Sequence, residues 1–254
     1  MDITDIKGAN VRKILDALRF SSGMVKREIA SDTGLSFSTV SNVCNALEDL
    51  HILYETKSGD TTVGRTPDKF HFNSSGYCSL CVERPQEDIL RISALDFANK
   101  LLFQTELPLT ADDDAMSLSN YIQQVYEDLA HSQGFSGIVF VGVGLSVSGG
   151  QGHKNRQLTN GLHSNFDNTS LEDLIRQRTG LPCYTESQAN LCVVSVSQAG
   201  HNSENILYLH SSTILSVGVI CEGNLLRGRN GNAADIAHIP IGAPDNVCPR
   251  CGAH

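Results

Sequence analysis

The sequence has no tryptophan, so its aromatic packing rests on nine Phe and six Tyr. It has no apolar run of bilayer-spanning length, which excludes a helical membrane protein. The opening residues, MDITDIKGAN, lack the basic end and apolar centre of a secretory signal. Both absences point to a cytoplasmic protein. Positive charge is also scarce, with 19 Lys and Arg against 28 Asp and Glu and a net charge of -9. The deficit is uneven. Residues 1–74 carry nine basic and ten acidic residues, whereas residues 75–254 carry ten and eighteen. This excludes nucleic-acid binding through a broadly basic surface. Any DNA contact must come from a local cluster in the first segment, because the acidic remainder repels phosphates.

What is present is ordinary for a globular protein. The 254 residues are 40% hydrophobic and 19% charged, enough for one large domain or two smaller ones. Of the eight cysteines, Cys44, Cys78, Cys81, Cys192 and Cys221 lie in apolar runs. In a reducing compartment such residues are expected as small buried hydrophobes. Cys248 and Cys251 stand apart, in a Gly- and Pro-containing context.

Residues 1–74 read as a winged helix-turn-helix. Ile3, Ile6, Val11, Ile14, Leu15 and Leu18 recur at helical spacing, and Ser21-Ser22-Gly23 ends the run. A second helix carries Val25, Ile29 and Ala30 on one face, and Gly34 suits the tight turn that follows. Ser36 is the expected N-cap of a third helix whose buried stripe is Val40, Val43, Cys44, Leu47 and Leu50. Its other face offers Ser38, Thr39, Ser41, Asn42 and Asn45. These are short donors and acceptors in the half of the helix that meets base edges in a major groove. Ser36, at the leading end, joins this candidate DNA-binding set. Lys26 and Arg27 are placed for phosphates. Residues 54–72 alternate around the turn signal Gly59-Asp60, as a two-stranded wing does. Arg65, in that wing, is suited to a minor groove.

Residues 75–254 read as an α/β body. Three strands are expected over 77–83, 88–97 and 100–109, then a helix over 116–133 with Leu118, Ile122, Val125, Tyr126 and Leu129 inward. The run 136–147 is nearly continuous in apolar residues, the pattern of a strand buried on both faces. A helix over 171–178, a strand at 183–184, a helix over 189–198 and two or three strands in 204–226 follow. The repetition suggests two related lobes, divided at 75–200 and 201–254.

The chain resembles the ROK family of repressors, open reading frames and sugar kinases. Gly64-Arg65-Thr66-Pro67 resembles its Gly-Arg-Pro wing motif, and GVGLSVSGG at 142–150 its glycine-rich strand and loop. GLPCYTESQAN at 180–190 resembles the segment with the catalytic carboxylate, and GNAADIAH at 231–238 the Gly-Glu-Ile-Gly-His segment. The resemblance implies an N-terminal winged helix-turn-helix followed by an actin-like, ribonuclease H-like sugar-kinase fold whose second lobe is incomplete here. It implies a transcriptional regulator, a repressor of carbohydrate-related genes acting on operator DNA as a homodimer or homotetramer. A sugar derivative or a regulatory protein would be the effector. The alternative within the family is a sugar or amino-sugar kinase using ATP.

The departures favour the regulator. The family's first phosphate loop, Asp-x-Gly-Gly-Thr, corresponds to Asp96-Phe97-Ala98-Asn99-Lys100, and its second to Ser212-Thr213-Ile214-Leu215. In both the glycines that let backbone amides approach a phosphate are gone. The catalytic Asp corresponds to Gln188, which has no carboxylate to take a proton. A non-catalytic body without ATP is therefore expected. The residues matching the family's sugar site are Gly149, Ser187, Gln188, Asp235 and His238, and the replacements at Ser187, Gln188 and Asp235 keep polar character. They leave two readings open, a ligand pocket and a relic that packs two lobes. His238, Cys248 and Cys251 resemble three of the family's four zinc ligands, and imidazole with thiolates suits tetrahedral zinc. The spacing is Cys-x-x-Cys, one residue longer than in the family, and the sequence stops at His254, before the expected last Cys, which leaves three ligands unless His254 substitutes or the sequence is a fragment.

Overall fold

Capping and glycine punctuation set the first helices in the computed structural model. The structure describes residues 3–19, 21–56, 68–86, 88–110, 112–147, 150–152, 157–159, 170–199, 203–211, 215–228, 233, 236 and 239. Helix α1 is Ile3–Arg19, α2 is Lys26–Thr33 and α3 is Phe37–Asp49. Gly34 ends α2 with φ 67°, a left-handed conformation that a side chain would strain. Glu28 reaches back to accept from the Val25 amide at 2.9 Å, which holds the start of α2.

The chain divides into two compact units. The first comprises residues 1–79, 94–103 and 135–141. Its core gathers Ile14, Leu18, Ile29, Val40, Cys44, Leu47, Leu53 and Phe70. Each such fully buried side chain contributes about 1.5–3 kcal/mol before chain entropy is set against it. Strand β1, Leu53–Thr56, pairs antiparallel with β2, Lys69–Phe72, and the Met24–Phe70 bridge ties β2 to the chain just before α2. The expected wing strands are thus paired, while its turn and Arg65 lie outside the described residues. One core expectation is corrected. Leu50 is 63% exposed, because α3 ends at Asp49, Leu50 is its C-cap, and the left-handed His51, with φ 58°, redirects the chain from there.

Beyond this module the strands are β3 Tyr77–Gln86, β4 Ile89–Asp96, β5 Leu101–Pro108, β6 Val139–Val147, β7 Gly150–Gly152, β8 Gln157–Thr159 and β9 Cys183–Ser187. One five-stranded sheet has the order β5-β4-β3-β6-β9, with β6 and β9 parallel. Helix α4, Ala115–Ala130, packs on α5, Leu171–Thr179. The inward face of α4 is Leu118, Ile122 and Leu129, as expected, with Val125 and Tyr126 only half-buried. Strand β6 is not buried throughout. Val139 is 53% exposed and burial begins at Gly142, so the apolar run overstated its depth.

In the second unit α6, Gln188–Gln198, packs on β10, Ile206–Ser211, and β11, Leu215–Cys221. Strand β12, Asn224–Leu225, completes that sheet. The contact is close enough to require glycine. A Cβ on Gly218 would collide with the Ala189 carbonyl oxygen. On β10, Leu207 and Leu209 are exposed. Cys221 is also exposed, against the expectation of a buried thiol, because it closes β11 at the tight turn through Glu222 and Gly223. Among the described residues no helix is long and apolar enough to cross a membrane.

Candidate nucleic-acid interface

Helix α3 is built around its cap. Ser36 Oγ accepts from the Thr39 amide at 3.1 Å, and the hydroxyls of Ser38 and Thr39 lie 2.9 and 2.8 Å from the same oxygen. The three hydroxyls on the leading turn are thereby engaged with one another. On the inner side Val40, Cys44 and Leu47 are buried. Burial pushes the Cys44 thiol up to about 11, against the pull of the nearby Lys26 ammonium. That thiol is a packing group, not a nucleophile.

Lys26 does not stand free at the start of α2. Its ammonium donates to Asn45 Oδ1 at 2.8 Å and Ser41 Oγ at 3.3 Å, and sits 4.9 Å from the centre of the Phe70 ring. Of the residues singled out for DNA, α2 and α3 therefore bring Lys26, Ser41 and Asn45 into one cluster. Arg27 and Asn42 are exposed. One residue on this surface was not foreseen. Phe37, the first residue of α3, is 59% exposed.

The far end of α3 is tied to the turn between β4 and β5, within the same unit. Tyr77 Oη donates to the Leu50 carbonyl at 3.0 Å, and the Asn73 side chain donates to the His51 carbonyl at 2.9 Å. Phe97 stacks against Phe72 of β2 and against Tyr77, with ring centres 5.6 and 6.1 Å apart. Phe97 occupies the turn that resembles the first phosphate loop. Every amide there is already used. Phe97 donates to the Ser74 carbonyl, Asn99 to the Asp96 carbonyl, and Ala98 and Lys100 each to Asp96 Oδ1 at 2.8 Å. A phosphate would have to displace a buried carboxylate that already fills its place.

The candidate ligand residues fall at the start of α6. Ser187 is its N-cap, accepting from the Asn190 amide at 3.3 Å, and Gln188 is its first residue. Beside them is a carboxylate not singled out before, Glu186. It accepts from Asn190 Nδ2 and from Arg227 Nε, both at 2.9 Å. Both oxygens of Glu186 are thus engaged, one by Asn190 and the other by Arg227. Gly149, Asp235, His238, Cys248 and Cys251 lie outside the described residues, as does most of the second phosphate loop.

A three-helix module with a paired hairpin, followed by an α/β body of the actin-like kinase type, is the class of protein that fold and site define. A solved ROK family transcriptional regulator, described as a homologue of the E. coli MLC protein, superposes with a TM-score of 0.83 at 18% identity, over 98% of this chain and 63% of that one. A ROK glucokinase from Streptomyces griseus superposes with a TM-score of 0.57 at 22% identity, over 69% and 54%. The chain belongs to the ROK family, whose profile matches residues 87–254. The xylose repressor of Bacillus subtilis is 26% identical over 263 residues, covering 99% of this chain. A glucokinase of Halalkalibacterium halodurans is 24% identical over 169 residues, 64% of this chain. The chain spans 65% of the length of that xylose repressor.

Proposed function

We propose that this chain is a DNA-binding transcriptional repressor of carbohydrate-related genes. Its reader is a winged helix-turn-helix formed by α2, α3 and the β1–β2 hairpin. The observation that carries the reading is the α2–Gly34–α3 geometry, capped by Ser36, with Asn42, Arg27 and the Lys26–Asn45 pair on the outer side. The repressor name of relatives matched along nearly the whole chain supports it. The glucokinase relatives cover less of this chain. The filled phosphate turn at Asp96 favours a body without phosphoryl transfer.

In this reading the body is the sensor. A sugar or sugar derivative bound near Ser187 and Gln188 biases its arrangement. The stack of Phe72, Phe97 and Tyr77 is the contact through which the β4–β5 turn holds the end of α3. The donor set of His238, Cys248 and Cys251 suits a structural zinc. One helix-turn-helix reads a half-site, so the protein works as a dimer or higher oligomer on a palindrome.

The test is a gel shift on the duplex upstream of the chain's own gene. The chain retards it, and Asn42→Ala alters which base is preferred at one position, a loss of about 1–3 kcal/mol of discrimination. If Asn42→Ala weakens every sequence alike, Asn42 only positions the protein. Absence of any shift by the folded chain sinks the proposal.

A further inference from the structure

Phe37 adds nothing to the core that holds α3 in place. It is the first residue of α3, 59% exposed, and it stands outside the core cluster that completes the inner face of the helix. Its neighbours on the outer side are already occupied. The Ser36, Ser38 and Thr39 hydroxyls satisfy one another, and Lys26 holds Ser41 and Asn45. Phe37, Ser41 and Asn45 are spaced four residues apart, so they form one row along the helix. Helical side chains tilt toward the N-terminus, so Phe37 leads that row past the first turn. The leading end of a reading helix is the part that meets base edges. Those edges in the major groove offer donors and acceptors everywhere and a single apolar group, the thymine C5-methyl. A phenyl ring whose flanking hydroxyls are tied up is matched to that group and to no other on the groove floor.

We infer that Phe37 is a specificity-determining residue that packs on a thymine methyl group, so that each half-site requires thymine opposite the start of α3. The inference rests on the reading of α3 as a DNA-recognition helix.

The experiment is a selection from a random-sequence duplex pool with the full chain. Each thymine of the enriched sequence is then replaced in turn by deoxyuridine, which removes only the methyl group. At one thymine the replacement weakens binding about fourfold, the worth of one buried methyl group. Phe37→Ala abolishes that sensitivity and accepts other bases at the same position, while Phe37→Leu retains it. Because Phe37 is exposed, the Ala variant keeps the parent's thermal unfolding curve, which is recorded alongside. A thymine sensitivity that persists in Phe37→Ala, or no sensitive thymine in an enriched sequence, overturns the inference and leaves the DNA reading standing. A Phe37→Ala variant with unchanged selection but altered sedimentation makes the ring a protein contact and also overturns it. A pool from which the folded chain enriches nothing overturns both.

Discussion

Phe70→Ala unfolds the module of α1, α2, α3 and the β1–β2 pair at temperatures where the parent protein is intact. Phe70 is 1% exposed, the largest fully buried side chain among the described residues, and it packs with Ile14, Leu18, Ile29 and Leu53. Truncating such a ring costs about 3–5 kcal/mol, because the transfer energy is lost and a cavity remains. A small module has a total stability of about 5–15 kcal/mol, so much of its margin goes. The loss is functional as well as structural. Lys26 sits over this ring while it holds Ser41 and Asn45, so the outer face of α3 loses its brace. Phe70→Leu separates the two effects, since it restores most of the volume without the ring. Thermal unfolding followed by far-ultraviolet circular dichroism checks the first effect, with Phe70→Leu melting close to the parent and Phe70→Ala well below it. Equal melting of all three contradicts the assigned core.

Phe97→Ala loosens the end of α3. The ring is half-buried and stacked on Phe72 and Tyr77, so the expected cost is about 2 kcal/mol, below that of a fully buried phenylalanine. The effect is local. Ile52 accepts from the Asn73 amide at 2.9 Å and Tyr77 holds the Leu50 carbonyl, and both rest on the same stack. Hydrogen exchange at the Asn73 amide rises more than tenfold, the equivalent of about 1.4 kcal/mol in local opening. Exchange at the Ile29 amide, which donates to Val25 at the head of α2, stays unchanged. Uniform acceleration at both places means that Phe97 supports the whole module rather than the end of α3.

The helices were legible because their ends are written in single residues. Ser36 caps and Gly34 turns, and apolar spacing does the rest. Leu50 misled because periodicity continues past a helix end and carries no sign of the turn at His51. The run leading into β6 misled for a related reason. Apolar composition reports what a residue tolerates, and Val139 tolerates an exposed place at a strand end. The site was harder to read. Lys26 meets residues 15, 19 and 44 positions away, contacts that only the folded module creates. Phe97 looked like the loss of a phosphate loop. In the structure the same substitution supplies a ring to an aromatic stack. Phe37 carried no signal, since an apolar residue beside a helix start reads as core until its exposure is known.

The most direct test is the salt dependence of duplex binding, measured by fluorescence anisotropy for the parent chain and Arg27→Ala. Arg27 is exposed on α2, where a helix crosses the phosphate backbone. The account predicts that the parent binds at about 50 mM salt and weakens steeply toward about 200 mM, with Arg27→Ala lowering the log–log slope by about 1 across all sequences. A folded parent chain that binds no duplex at low salt, or an unchanged slope in Arg27→Ala, would contradict the assignment of α2 and α3 to DNA.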